Sequence, residues 1–139
     1  MRYPRELRDT FPRIAMYLRR SNYDSVVAFI IGFDVATQES ATLGFYEWLV
    51  PQLKRDHSSL HWSQLFLWYA FPDEPDKEGL LASPEKNKVA CDLLCGTLEK
   101  FWDLREEPEG MRRIYHRYEN WLRKQRWYKP DCPIWIDDK

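Results

Sequence analysis

The sequence predicts an all-α protein: a single-domain bundle of about five to six helices around a buried central helix. Apolar residues recur three and four positions apart in most segments, as they do on one face of a helix. The longest apolar run, residues 26–33, continues without turn residues to position 38, which is the length of a helix. A chain of 139 residues that is 44% hydrophobic can bury one sizeable core, so residues 1–139 are expected to form one helical domain.

Prolines and cap residues mark the helices of the N-terminal segment. Pro4 opens a short helix over residues 5–9, and Thr10 with Pro12 begins a second piece that reaches residue 20. Both pieces are polar on one side, which is typical of helices at the surface of a domain.

The expected central helix covers residues 24–38. Its apolar core, residues 26–33, is also compatible with a buried strand, because periodicity does not separate the two in a short apolar run. Gly32 is unfavourable inside a helix by about 1 kcal/mol relative to alanine. We expect this glycine to let a neighbouring helix approach closely.

The remaining helices follow from apolar spacing and from their boundaries. Ser83, Pro84 and Glu85 form a strong helix start, with a cap, a proline at the first position and an acid in the first turn. Two prolines, a glycine and several charges predict a loop over residues 71–79. The proline-broken tail after residue 127 carries apolar residues that are expected to pack on the body. The predicted helices cover residues 41–50, 60–70, 84–105 and 111–126.

Charge is segregated along the chain although the formal net charge is only −1. The first twenty residues are rich in arginine, residues 73–78 are mostly acidic, and residues 112–129 are basic. The near-zero net charge gives no reason to expect that the protein as a whole binds nucleic acid. No apolar run approaches the ~20 residues that span a membrane, and no signal core is visible. The expectation is therefore a cytoplasmic protein without a membrane partner.

Few residues have the spacing that a metal or a cofactor requires. His57 and His61 are four positions apart but form no His-Glu-x-x-His pattern, and Cys91 and Cys95 would supply only half a metal site. An odd number of cysteines, completed by Cys132, fits reduced thiols. No glycine-rich loop of the phosphate-binding types is present. We therefore expect no metal ion and no cofactor.

Charged side chains are the main candidates for contact with a partner. Asp34 leaves the end of the apolar element and is suited to an acid or base role, to anchoring a partner's arginine, or to a structural bond with a neighbouring helix. The acidic segment is suited to docking a basic partner, and comprises Asp73, Glu74, Asp76 and Glu78. The basic 112–129 face is suited to phosphate contacts, although Glu109 and Glu119 interrupt it.

Part of the chain, mainly residues 3–49, resembles small bacterial immunity proteins of toxin–immunity pairs. Four motifs carry the resemblance: Tyr3-Pro4-x-Glu6-Leu7, Asn22-Tyr23-Asp24, Phe29-Ile30-x-Gly32-Phe33-Asp34-x-Ala36-Thr37 and Gly44-Phe45-x-Glu47-Trp48-Leu49. The resemblance implies a cytoplasmic, non-catalytic protein that binds and blocks one cognate toxin. It carries over no contact residues.

Three functional hypotheses follow from these observations. The first is an immunity-type inhibitor that contacts its toxin through the acidic segment, with Asp34 behind it. The second is a small helical enzyme whose site is assembled from Asp34, His61 and His116. The third is a nucleic-acid-binding regulator that uses the basic 112–129 face, although nucleic acid is not the partner we expect.

Overall fold

The computed structural model describes residues 4–53 and 59–129. Within these ranges the chain is helical and contains no strand, so the all-α prediction is confirmed. The α-helices are α1 (Arg5–Thr10), α2 (Tyr23–Thr37), α3 (Phe45–Leu49), α4 (Trp62–Ala70), α5 (Lys77–Ala82), α6 (Pro84–Glu106) and α7 (Gly110–Arg123). Short 3-10 helices cover Phe11–Met16 and Val50–Gln52. Seven α-helices among the described residues is close to the predicted five to six.

The apolar run 26–33 is part of α2, which settles the choice between helix and strand. Asn22 caps this helix, since its side-chain oxygen accepts a hydrogen bond from the Ser25 N–H at 2.9 Å. Gln38 ends the helix in the left-handed region, with φ of 57°. One side of α2 is buried, whereas Val35 on the other side is 80% exposed. The expected central helix is therefore buried on one face only.

The longest helix, α6, contributes the largest set of buried side chains to the core. Trp102 and Phe101 are fully buried there, and Phe11 stacks on Trp102 with ring centroids 5.5 Å apart. Phe45 from α3 meets Phe101 edge-on at 5.2 Å. As the sequence indicates, Ser83 caps α6 and Pro84 is its first residue. The buried positions of α6 are Ala90, Cys91, Leu94, Leu98, Phe101, Trp102 and Arg105.

Two predicted boundaries differ from the structure. The predicted loop 71–79 contains the start of α5, because the Asp76 carboxylate accepts a hydrogen bond from the Gly79 N–H at 2.9 Å and caps a short helix. The last helix ends at Arg123, three residues before the predicted end. The predicted packing of the tail after residue 129, and the candidates His57 and Cys132, lie outside the described residues.

The expectation for Gly32 is wrong. A Cβ built on this residue meets no atom within 4 Å, so no helix of the described chain lies against it. Gly110 has the close contact instead, because a Cβ there would lie 2.2 Å from the Leu104 carbonyl oxygen. Among residues 4–53 and 59–129, none of the helices combines the length and apolar character needed to cross a lipid bilayer.

Candidate partner-binding grooves

An open groove of about 560 Å³ lies between the start of α2, one side of α4 and the start of α5. Apolar side chains form part of its lining, notably Trp68 and the buried Leu67. Three carboxylates, those of Asp24, Asp76 and Glu78, line the same groove. We call this feature the acidic groove.

Hydrogen bonds hold the walls of the acidic groove in place. The Tyr23 hydroxyl donates to the Ser63 carbonyl at 2.6 Å, which ties α2 to α4. Burial raises the pKa of this phenol above its ordinary value, so it remains protonated and keeps donating. On the opposite wall, the Lys77 ammonium lies 4.3 Å from the Trp68 ring centroid and donates to the carbonyls of Phe71, at 2.6 Å, and Glu74.

The four acids predicted from the sequence have different positions. Asp76 and Glu78 line the acidic groove, although Asp76 is also the cap of α5. Glu74 is half-buried and lies 3.9 Å from the Lys86 ammonium, so its charge is used within the protein. Asp73 is exposed and is not part of the groove lining. The acidic segment is thus not one uniform contact surface.

Asp24 is a groove residue that the sequence reasoning did not select. It lies in the first turn of α2, where an acid also interacts favourably with the positive end of the helix dipole. An acid after an asparagine cap has that structural explanation already, so nothing local marks it as a binding residue. Only the tertiary packing of α2, α4 and α5 brings it into the same groove lining as Asp76 and Glu78.

Asp34 does not belong to the acidic groove. Ten residues of helix separate it from Asp24, which corresponds to about 15 Å along the axis of α2. Its side chain is buried, at 8% exposure, and accepts hydrogen bonds from the Ala41 N–H at 2.7 Å and from the Thr42 hydroxyl. These bonds fix the turn between α2 and α3, so the carboxylate has a structural role, although its partners lie in this turn and not on a neighbouring helix.

The same turn is held from the other side by α6. The Arg105 guanidinium donates to the Ser40 carbonyl at 2.5 Å and to the Leu43 carbonyl at 3.1 Å. The indole N–H of Trp102 donates to the Ala41 carbonyl at 2.8 Å. Gln38 and Glu39 have φ of 57° and 64°, a conformation that non-glycine residues adopt at a cost. The buried bonds explain how the chain keeps this conformation.

A second groove, of about 570 Å³, brings together two of the three residues of the enzyme hypothesis. Asp34 and His61 both line it, but His116 does not, since it is an exposed residue of α7. The His61 Nδ1 accepts a hydrogen bond from the Ser63 N–H at 3.2 Å and caps α4. Desolvation lowers the pKa of His61, which favours the neutral ring; because Nδ1 accepts the Ser63 N–H, the ring proton is on Nε2. Both groove residues therefore have structural partners.

The basic 112–129 face is partly neutralised by neighbouring acids. The Arg113 guanidinium is 2.7 Å from Glu107, and the Arg123 guanidinium is 2.6 Å from Glu119. Arg112 pairs with Glu109 at 3.4 Å. These pairs reduce the positive potential that phosphate binding requires.

The cysteines of α6 have the properties of unreactive core residues. Burial raises the pKa of Cys91 to about 11 and that of Cys95 to about 12, so both thiols are protonated at neutral pH. In the part of the chain that the structure describes, no three or more histidine, cysteine or acidic side chains converge as metal ligands would.

Comparison with known proteins does not assign the chain to a protein family. No protein-family model matches the chain, and neither a curated protein nor a solved structure matches it. The functional argument therefore rests on the grooves and on the charges that line them.

Proposed function

We propose that this chain is a non-catalytic, cytoplasmic binding protein: an immunity protein that binds and inhibits one cognate bacterial toxin. The resemblance of residues 3–49 to immunity proteins supports the class of protein. The observation that carries the proposal is the acidic groove, which three carboxylates from two separate parts of the chain line together with apolar side chains.

The acidic groove is suited to a basic segment of a protein partner. Carboxylates on the rim attract positive charge at a distance, which raises the rate of encounter and disfavours acidic partners. Apolar surface beside Trp68 and Leu67 is suited to the aliphatic stem of an arginine or a lysine. Lys77 reduces the negative charge by one, but two backbone carbonyls already hold its ammonium group. The groove lining therefore keeps a net negative charge.

Inhibition would be steric in this mechanism. The protein would cover the toxin's active site or the path of its substrate, so none of its own side chains would need to react. Toxins that act on nucleic acid present basic surfaces to their substrate, and an acidic groove is complementary to such a surface.

The first test is co-expression with the product of the adjacent upstream gene. The proposal predicts that this product is toxic alone, that the present chain restores growth, and that the two proteins purify as one complex. A harmless neighbour, and no co-purification, would contradict the proposed function.

Two acids of the same segment allow a matched test of the contact surface. Glu78→Lys reverses a charge inside the acidic groove, whereas Asp73→Lys makes the same change outside it. Neither carboxylate makes a hydrogen bond or an ion pair with the described residues, so both variants should fold. We expect Glu78→Lys to slow association with the toxin about tenfold at low salt, and Asp73→Lys to have little effect. Equal effects of the two variants would exclude the acidic groove as the contact surface.

A further inference from the structure

A small cavity of about 170 Å³ lies where α3 and the 3-10 helix after it meet α6 and α7. Its apolar walls come from Trp48, Pro51, Leu104 and the buried Ile114. An apolar cavity of about 150 Å³ is large enough to hold a benzene ring. The walls therefore have room for an apolar group of the size of a leucine or phenylalanine side chain. We call this feature the α3–α7 cavity.

Aromatic contacts hold one wall of the α3–α7 cavity in place. The Trp48 ring stacks on the Phe45 ring, with centroids 5.9 Å apart. It also lies 5.9 Å from the ring of Phe101 and 5.6 Å from that of Tyr69. A wall that is already ordered lowers the entropy cost of binding, which favours a small ligand.

Two opposite charges in the lining of the α3–α7 cavity have no ion pair. Glu47 of α3 and Arg117 of α7 both line it, and neither forms an ion pair with any described residue. Arg113 is the third charged residue of the lining, but its guanidinium group already pairs with Glu107 at 2.7 Å. One carboxyl group and one guanidinium group are therefore available to a ligand.

The surroundings of Glu47 favour a cationic partner. Desolvation raises the pKa of its carboxyl group, and hydrogen bonds with its own backbone and with the Tyr115 side chain oppose this effect only in part. The ionised carboxylate is thus less stable here than in water. An ammonium group in the cavity would stabilise it, and a carboxylate that accepts one hydrogen bond has lone pairs for further donors.

We propose that the α3–α7 cavity binds a free α-amino acid with an apolar side chain of the size of leucine or phenylalanine. The ammonium group of the ligand contacts Glu47, and its carboxylate contacts Arg117. The apolar side chain lies against Trp48, Leu104 and Ile114.

The charges of the cavity favour this ligand over simpler ones. A carboxylic acid without an amine would meet Arg117 but would also face the Glu47 carboxylate. An amine without a carboxylate would meet Glu47 but would face Arg113 and Arg117. Of these three classes of ligand, the zwitterion alone gives both unpaired groups a partner of opposite charge.

Isothermal titration calorimetry of the purified full chain tests this proposal with L-leucine and L-phenylalanine as the ligands. We expect dissociation constants below about 1 mM for both. N-acetyl-L-leucine lacks the positive charge, L-leucinamide lacks the negative charge, and glycine lacks the side chain, so each should bind at least about tenfold more weakly than L-leucine. The proposal is overturned if neither amino acid binds at about 10 mM, or if one of the three analogues binds as tightly as L-leucine.

Two variants that remove a charge test the assigned contacts. Arg117→Gln and Glu47→Gln should each weaken the binding of L-leucine at least about tenfold, because one charge of the ligand loses its partner. The matched control is Arg112→Gln, which changes an exposed arginine of α7 outside the cavity lining and should leave the affinity unchanged. An unchanged affinity in either of the first two variants would overturn the proposal.

Loss of binding has to be separated from loss of the fold. Glu47→Gln removes a desolvated charge, so it should be at least as stable as the natural chain at neutral pH and above while it loses the ligand. Circular dichroism of each variant measures the helix content. A Glu47→Gln variant that keeps both its helix content and its affinity for L-leucine would exclude this carboxylate as the ammonium contact.

Combining each variant with an analogue assigns each charge to one group of the ligand. Arg117→Gln should weaken the binding of L-leucine but not that of L-leucinamide, which has no carboxylate. In the same way, Glu47→Gln should not weaken the binding of N-acetyl-L-leucine. Equal losses for L-leucine and the analogue would show that the variants act through the shape of the cavity, and would overturn the proposed contacts. The experiment needs no toxin, so its result is independent of the proposed inhibition.

Discussion

The sharpest stability prediction concerns the buried carboxylate of Asp34. This group accepts the N–H of Ala41, which is fully buried, and the hydroxyl of Thr42, and so fixes the turn between α2 and α3. Asp34→Ala removes both acceptors. The Ala41 N–H then has no acceptor in the interior, whereas the Thr42 hydroxyl is only partly buried and can turn towards water.

The expected magnitude follows from these two bonds. A buried N–H that loses a charged acceptor costs about 2 kcal/mol, and the partly exposed hydroxyl adds about 1 kcal/mol. The better helix propensity of alanine offsets about 0.5 kcal/mol. The free energy of unfolding should therefore fall by about 2.5 kcal/mol, which lowers the melting temperature of a chain of this size by about 8 °C.

Urea denaturation, followed by the fluorescence of the seven tryptophans, measures this change. Asp34→Asn is the matched control, since its amide oxygen can still accept the Ala41 N–H; we expect a loss below about 1 kcal/mol. If the free energy of unfolding of Asp34→Ala stays within about 0.5 kcal/mol of that of the natural chain, Asp34 does not stabilise the turn. The partner-anchor or catalytic role of this carboxylate would then have to be considered again.

The remaining predictions concern a half-buried acid, Glu47, and two glycines. Desolvation raises the pKa of Glu47 in the folded state, so folding favours its protonated form. The resulting contribution to the free energy of unfolding is complete below the unfolded pKa and is lost as the pH rises through the folded pKa. Glu47→Gln should therefore be more stable than the natural chain at pH 8, with the difference closing towards pH 4 in thermal melts, and a gap that widens on acidification would contradict the assigned cause. Gly110→Ala should destabilise by more than about 2 kcal/mol because its Cβ meets the Leu104 carbonyl oxygen, whereas Gly96→Ala, in open space within α6, should stabilise by about 0.5 to 1 kcal/mol. Equal effects of these two changes in urea denaturation would show that the contact at Gly110 is not rigid.

Helix positions could be predicted well because their signals are local. The start of α6 depends on a serine cap and a proline that are adjacent in the sequence, and the structure confirms it. The start of α5 differs from the predicted loop because Gly79, a residue typical of loops, supplies the N–H that Asp76 caps. Both signals lie within four residues, so this helix start is encoded locally, by a cap that favours a helix and a glycine that disfavours one.

The candidate site could be predicted only in part. Asp76 and Glu78 were selected for their charge and do line the acidic groove, but Glu74 and Asp73 were selected on the same ground and do not. Asp24 joins the groove from a helix start about fifty residues away in the sequence. Charge alone does not distinguish a carboxylate that faces a groove from one that pairs with a lysine.

The sequence by itself determined that this protein is helical, where most of its helices begin, and how its charges are divided along the chain. Apolar spacing and capping chemistry act within one or two turns, so they can be recognised without the fold. The tertiary structure decided that α6 contributes more buried side chains than any other helix of the described residues, that Asp34 fixes a turn, and that Asp24 lines the same groove as Asp76 and Glu78. These facts depend on which helix faces pack together, and that choice is made by contacts between residues far apart in the chain.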